Sequence, residues 1–285
     1  MTMPLVSSQW LDTQIAHPEV KVVDATFYMP NQERDALAEY RAEHIPGAVF
    51  FDINEVCDHS NPLPHMLPSP ADFAAAVGAL GIGNGDQVVV YDANNSTMGA
   101  ARVWWMFRAY GHERVSVLDG GLSAWKDHGG AVSDTPVQPA ANTFIATLTD
   151  EARVVTAEDI VATLATRSAA IVDARAALRF IGEGVEPRPS LQLGHIPGAR
   201  NIPFSNLLDL DTGLYLTPTE LSEHFAEVGV ELNKPMIVYC GSGVTSCAIA
   251  FAAYLVGKSD VFLYDGSWSE WGNRLDLPVQ RGEAE

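Results

Sequence analysis

The segment Met236-Ile237-Val238-Tyr239-Cys240-Gly241-Ser242-Gly243-Val244-Thr245-Ser246 runs from apolar residues through a cysteine into small ones, and residues 247–255 are again apolar. This order predicts a buried strand, a tight turn and a helix start, with a thiol at the hinge. Main-chain N–H groups of such a loop, together with the helix N-terminus, favour an anionic sulfur. Cys240 is therefore the candidate nucleophile, and Gly241, Ser242, Gly243, Val244, Thr245 and Ser246 form its candidate loop. Two thiol chemistries fit a strand–Cys–loop–helix unit. A cysteine phosphatase or arsenate reductase needs a cation in the loop, such as an arginine six residues after the cysteine that clamps phosphate bidentately. That position holds Ser246, and the loop contains no cation. Sulfur transfer asks less: the thiolate takes a sulfur atom, the N–H groups stabilise the persulfide anion, and a thiol removes the outer sulfur by exchange. A non-catalytic sulfur carrier is a third reading. The Gly241-Ser242-Gly243 turn lacks the third glycine of a dinucleotide fingerprint.

The elements that must position this thiol are legible nearby. Thr156 with Asp159, and Thr217-Pro218-Thr219-Glu220, read as capped helix starts, and Ser69-Pro70-Ala71-Asp72 is a matching start in the first half. Residues 169–172 and 236–239 read as short buried strands, and 261–264 as a further strand. Apolar strands alternating with helices imply an α/β fold, a mostly parallel sheet with helices on both faces. Ligands on such sheets bind beyond the carboxyl ends of the strands, where Cys240 is expected.

The chain also repeats itself once. Val23-Asp24-Ala25 recurs as Val172-Asp173-Ala174, His44-Ile45-Pro46-Gly47-Ala48 as His195-Ile196-Pro197-Gly198-Ala199, and Asp119-Gly120 as Asp265-Gly266, all about 150 residues apart. The expectation is two duplicated domains, 1–138 and 153–285, joined by a linker at 139–152. The Pro-containing stretch 131–142 reads as the boundary. Val90-Tyr91-Asp92 aligns with Val238-Tyr239-Cys240. Asp92 thus takes the cysteine's place, and since a carboxylate cannot accept sulfane sulfur, the first domain is expected to be silent. His44 and His195 lie in matching turns of both halves and read as scaffold.

Composition narrows the class. Apolar residues make up 47% and charged residues 19%, and the formal net charge is −19. That excess of acid argues against nucleic-acid and anionic-membrane partners. No apolar stretch approaches membrane-spanning length, and the opening residues lack a basic region followed by an apolar one, so a cytoplasmic location is expected. Three cysteines, Cys57, Cys240 and Cys247, are too few for a disulfide framework and match no zinc spacing. No metal or organic cofactor is expected. Cys247 reads as packing within a helix, and Cys57 as a plain loop residue.

With these residues in place, the chain resembles the tandem-domain rhodanese sulfurtransferases over nearly its whole length. The resemblance rests on the duplicated halves, the loop from Cys240 to Thr245, His-Ile-Pro-Gly-Ala in both halves, and Asp265-Gly266-Ser267-Trp268-Ser269-Glu270-Trp271-Gly272. It is strongest to the 3-mercaptopyruvate branch, which carries Gly-Ser after the cysteine, whereas thiosulfate-specific members carry basic residues there. The implied fold is two rhodanese-like domains. The implied activity is movement of sulfane sulfur from 3-mercaptopyruvate through a Cys240 persulfide to cyanide or a thiol such as thioredoxin, with release of pyruvate. Thiosulfate:cyanide transfer is the alternative. By the same resemblance Arg179 and Arg188 bind the donor's carboxylate and carbonyl. Ser242 contacts the reacting sulfur or passes a proton, and His65, from the first half, supports Ser242. The carboxylate that completes such a relay is replaced here by Asn54, with Asp52 and Asp58 nearby in sequence. Arg175, just past a strand end, reads as a salt-bridge residue.

Overall fold

The computed structural model describes residues 3–94, 97–149 and 153–283. The chain divides into two compact units. The first comprises Met1–Asp58, Leu67–Ala152 and Leu210–Tyr215; the second comprises His59–Met66, Arg153–Asp209 and Leu216–Glu285. Each unit therefore includes a short segment from the other half of the sequence.

In the first unit the elements run β1 (Leu5–Val6), α1 (Ser8–Gln14), β2 (Val20–Asp24), α2 (Ala36–Ala42), β3 (Val49–Phe50), α3 (Pro70–Ala79), β4 (Gln87–Tyr91), α4 (Met98–Ala109), β5 (Val115–Leu118) and α5 (Gly121–Asp127). The second runs β6 (Val154–Val155), α6 (Ala157–Thr166), β7 (Ala170–Asp173), α7 (Ala177–Phe180), β8 (Arg200–Asn201), α8 (Pro218–Glu227), β9 (Met236–Tyr239), α9 (Ser246–Leu255), β10 (Val261–Tyr264) and α10 (Ser267–Trp271). Each unit holds a five-stranded sheet, ordered β1-β5-β4-β2-β3 and β6-β10-β9-β7-β8. Every strand pair in both is parallel, so the mostly parallel sheet read from the sequence is parallel throughout the described residues.

Local chemistry explains these boundaries. Thr156 and Thr217 accept from the amides of Asp159 and Glu220, whose carboxylates accept in return from the threonine amides, which makes both starts capping boxes. Ser69 caps α3 in the same way through the Asp72 amide, with Pro70 in the first turn. Val88, Val89, Val90 and Tyr91 are all buried, as are Met236 to Tyr239, because parallel strands at a sheet centre are covered on both faces. In the second unit Ile171, Ile237, Tyr239, Tyr264, Trp268 and Trp271 share one core cluster; Val22, Val89, Tyr91, Leu118 and Trp125 do so in the first.

The repeated His-Ile-Pro-Gly-Ala turns are structural in both units. His195 is buried, stacks on Phe180 at 3.7 Å and donates from Nδ1 to the Phe180 carbonyl at 2.8 Å. His44 donates likewise to the Tyr40 carbonyl at 2.8 Å. The Tyr239 hydroxyl accepts from Ile196 N, and Tyr91 from Ile45 N, each at 3.2 Å. This sets the turn against the central strand that leads to position 240 or 92.

Candidate active site

Strand β9 ends at Tyr239, and Cys240 is the next residue, at the carboxyl edge of the second sheet between β10 and β7. The start of α10 clamps its backbone. Cys240 N donates to Ser267 Oγ at 3.2 Å, and Ser267 Oγ donates to the Tyr264 carbonyl at 2.8 Å. Trp268 N donates to the Cys240 carbonyl at 3.0 Å. One residue on, the Gly241 carbonyl accepts from Ser269 N at 2.9 Å and from Ser269 Oγ at 2.7 Å. The loop then turns through Gly243 at φ +78°, a conformation that suits glycine, and enters α9 at Ser246.

The amides of Gly241, Ser242, Val244, Thr245 and Ser246 donate to no acceptor among the described residues. Ser242, Val244, Thr245 and Ser246 are buried. Buried N–H groups without a partner are costly, so a row of them at a helix N-terminus is a site waiting for an anion. Cys240 is 1% exposed, and its loop carries the polar residue Ser242, which two further side chains meet. Ser242 Oγ lies 3.0 Å from His65 Nδ1 and accepts from Arg188 Nη1 at 3.4 Å. His65 belongs to the second unit by its packing, although its sequence position lies in the first half. It is buried and adopts φ +60°, so the chain is held in an uncommon conformation where this ring meets Ser242.

The two arginines expected to bind the donor differ in their partners. Arg188 is half-buried, and among the described residues it has no carboxylate partner. Burial lowers its pKa below the ordinary guanidinium value, with the charge of Cys240 acting in its favour and that of Arg179 against it. Cys240 and Arg188 are thus electrostatic neighbours. Arg179 is already engaged: Nε and Nη2 donate to Glu186 Oε2 at 3.0 and 2.6 Å. It still borders the nucleophile, because a Cβ placed on Gly241 would sit 2.9 Å from Arg179 Nη2. A larger residue at position 241 would push the Arg179 guanidinium aside.

Behind these lies Arg175, which is fully buried. Its guanidinium forks onto Asp173 with a 2.7 Å ion pair, reaches Glu186 Oε1 at 2.7 Å and the Gly194 carbonyl at 2.6 Å, and lies 4.2 Å from the centroid of the Trp268 ring. Burial works against its charge, but Asp173, Tyr239 and Glu186 outweigh it and hold its pKa above the ordinary value. Arg179, Glu186, Arg188, Gly241, Trp268 and Ser269 line a pocket of about 10 Å³, room for one water.

Other sequence expectations are placed as follows. Cys247 is buried in α9, and its Sγ lies 3.4 Å from the Gly243 carbonyl. Cys57 Sγ donates to the Asn54 carbonyl at 3.0 Å. Asp52 Oδ1 accepts from Asn54 N and Nδ2 at 2.9 and 3.1 Å, which ties both residues into their own turn. Among the described residues no His, Cys, Asp or Glu cluster fits a metal ion, and no helix is long and apolar enough to cross a membrane. Sequence reasoning missed Ser267 and Ser269 as clamps on the nucleophile's backbone, and Glu186 as the partner shared by two arginines. The signal for the serines was their fixed distance from the repeated Asp-Gly. For Glu186 it was an acid lying between Arg179 and Arg188 in a cation-poor chain.

This combination, a cysteine at the edge of one of two duplicated parallel sheets with an amide-rich loop entering a helix, defines the protein's class. The profile of the rhodanese-like domain matches residues 7–128 and again 156–274, and the chain belongs to that family as a tandem member. Human 3-mercaptopyruvate sulfurtransferase (Homo sapiens) is 46% identical over 272 residues, spanning 94% of this chain and 91% of that protein. Thiosulfate sulfurtransferase of Gallus gallus is also 46% identical, over 275 residues covering 95% of this chain and 93% of that one. The crystal structure of SseA from Escherichia coli, a 3-mercaptopyruvate sulfotransferase, superposes with a TM-score of 0.85 at 41% identity, covering 94% of this chain and all of the other.

Proposed function

We propose that this protein is a sulfurtransferase that takes sulfane sulfur from 3-mercaptopyruvate onto Cys240, releases pyruvate, and hands the sulfur to a thiol acceptor. The observation that carries this reading is the buried Cys240 between unpartnered loop amides and an arginine without a carboxylate partner among the described residues. The Cys240 thiolate attacks the donor sulfur, and the donor's C–S bond breaks with its electrons moving onto the carbon as an enolate. The proton leaves the donor thiol and reaches that carbon, giving pyruvate, while Cys240 keeps the second sulfur as a persulfide anion. Loop amides stabilise this anion. Arg188 holds the donor carboxylate, helped by Arg179, which lines the same pocket. Ser242 carries the proton: with Arg188 donating to its oxygen, its hydroxyl hydrogen is free to point to His65 Nδ1 or to the donor. An acceptor thiolate then attacks the outer sulfur and restores the Cys240 thiolate.

Relatives of equal identity bear the names of both donors, so identity alone does not choose between them. Charge does. The loop after Cys240 has no basic side chain, and a thiosulfate dianion would find Arg188 as its only uncompensated arginine among those lining the pocket. Mercaptopyruvate carries one negative charge, remote from its sulfur, and needs no more. Thioredoxin or a small thiol is the proposed acceptor, and the cytosol the proposed place of action, because a persulfide is discharged by thiols kept reduced.

Intact-mass measurement after donor treatment tests the reading. An increase of about 32 Da, one sulfur atom, on the wild type and not on Cys240→Ser is expected. Comparison of kcat/KM should favour mercaptopyruvate over thiosulfate. The absence of an adduct with either donor would reject sulfur transfer, and a preference for thiosulfate would reject the proposed donor.

A further inference from the structure

We propose that Glu186 is a positioning residue that sets the net charge beside the nucleophile, and thereby the choice of sulfur donor. The inference rests on the sulfurtransferase reading above but concerns a residue outside the Cys240 loop. Glu186 divides its two oxygens between two guanidinium groups: Oε1 takes Arg175 at 2.7 Å and Oε2 takes Arg179 at 2.6 Å. Its side chain is 8% exposed, and that of Arg175 is wholly buried. Arg175 is fixed independently, by Asp173, by the Gly194 carbonyl and by the Trp268 face. The carboxylate of Glu186 is thus anchored from behind and holds Arg179 from the front, against Gly241.

The charges in this cluster come in pairs. Asp173 balances Arg175, Glu186 balances Arg179, and Arg188 is left over. The charged groups that act on Arg188 are Cys240 and Arg179. A monoanionic donor is matched to one residual positive charge. A dianion gains about twice as much from each further unit of positive charge at the same distance. Here the residual charge beside Cys240 is set by a carboxylate outside its loop, which withdraws one cation. The loop sequence alone would not reveal it.

The test uses the full-length chain with Glu186→Gln, Glu186→Asp, Arg179→Gln and the double variant Glu186→Gln/Arg179→Gln. Two ratios are read: kcat/KM for thiosulfate over mercaptopyruvate with cyanide as acceptor, and the alkylation rate of Cys240 by iodoacetate over iodoacetamide. The second ratio reports charge at the thiol without any sulfur donor. E186Q should raise both ratios about tenfold, the scale of one added charge at a partly screened distance. R179Q should lower both, E186D should keep them near wild type, and the double variant should return them toward wild type because the charges cancel. Unchanged ratios in the single variants, or a double variant that behaves like E186Q alone, would overturn the proposal. If E186Q does not fold, R179Q and E186D still decide the direction. If the wild type forms no persulfide, the sulfurtransferase reading falls, while the alkylation ratios still judge the charge assignment.

Discussion

The two units share strand order and turn chemistry, and differ at the residue that follows the central strand. In the second, β9 delivers Cys240 to a loop whose amides have no acceptor among the described residues. In the first, β4 delivers Asp92 to the same place, and the carboxyl folds onto the start of α4, where Oδ2 accepts from Ala100 N at 3.1 Å. The carboxyl group of Asp92 itself takes up a donor at the helix start. Leu122 N donates to the Asp92 carbonyl at 3.0 Å, as Trp268 N does to the Cys240 carbonyl. Gly99 packs so closely on the Ala25 carbonyl and on Asp92 Oδ1 that no larger residue fits. Behind the loop the units differ again. Asp173 is matched by Arg175, but its counterpart Asp24 has Thr26 instead, whose amide donates to Asp24 Oδ1 at 2.9 Å. Burial outweighs its hydrogen bonds and raises the pKa of Asp24, and it raises that of Asp92 to about 8. The exchanged segments complete the contrast. His65 meets Ser242 in the second unit, while Tyr215 meets Thr97 in the first, hydroxyl to hydroxyl at 2.9 Å. A duplicated scaffold therefore carries two different arrangements; only the second unit combines a thiol, open amides among the described residues and a buried cation network.

The largest expected effect concerns the nucleophile. Cys240→Ser should lower pyruvate release by about a thousandfold or more. Adding Asp92→Cys in that background should restore no persulfide on intact-mass analysis. An adduct on the new cysteine would show that the nucleophile alone separates the units. Next, Arg188→Ala should raise KM for mercaptopyruvate about a hundredfold, by loss of a charge-assisted bond in a partly buried site. The rise for Arg179→Ala should be smaller, because its Nε–Nη2 edge is already spent on Glu186; steady-state kinetics with both variants would reveal an inverted order. Ser242→Ala and His65→Ala should each lower kcat about tenfold, the scale of one lost hydrogen bond. Their double variant should lose no more than the larger single loss, since the two act as one pair; additive losses would uncouple them.

The smallest effect on activity belongs to Asp92. Between its ordinary pKa of 3.8 and its folded value of about 8, the folded chain holds a proton that the unfolded chain has released. Its contribution to stability is therefore complete below the lower value and is lost as pH rises toward the upper one. Asp92→Asn, which keeps the acceptor for Ala100 N, should leave kcat/KM unchanged and raise the melting temperature at pH 8 by about 3 °C or more. The gain should vanish near pH 4. Equal gains at both pH values would mean that Asp92 is ionised in the fold.

The chain read alone determined a good deal. The capped starts at Thr156 and Thr217, the strands ending at Tyr239 and Tyr264, and the thiol at the hinge all follow from local rules of capping, periodicity and turn chemistry, which operate over a few residues. The duplication was visible for the same reason, as motifs repeated in order. Tertiary structure alone decided the partners. Glu186 lies between Arg175 and Arg179 rather than beside a substrate, Ser267 and Ser269 hold the backbone of Cys240 and Gly241 from a different strand–helix turn, and His65 packs with the second unit. Hydrogen bonds and ion pairs depend on distances of a few ångströms between residues far apart in the chain. The spacing of letters does not contain those distances; only the closing of the sheet brings them about.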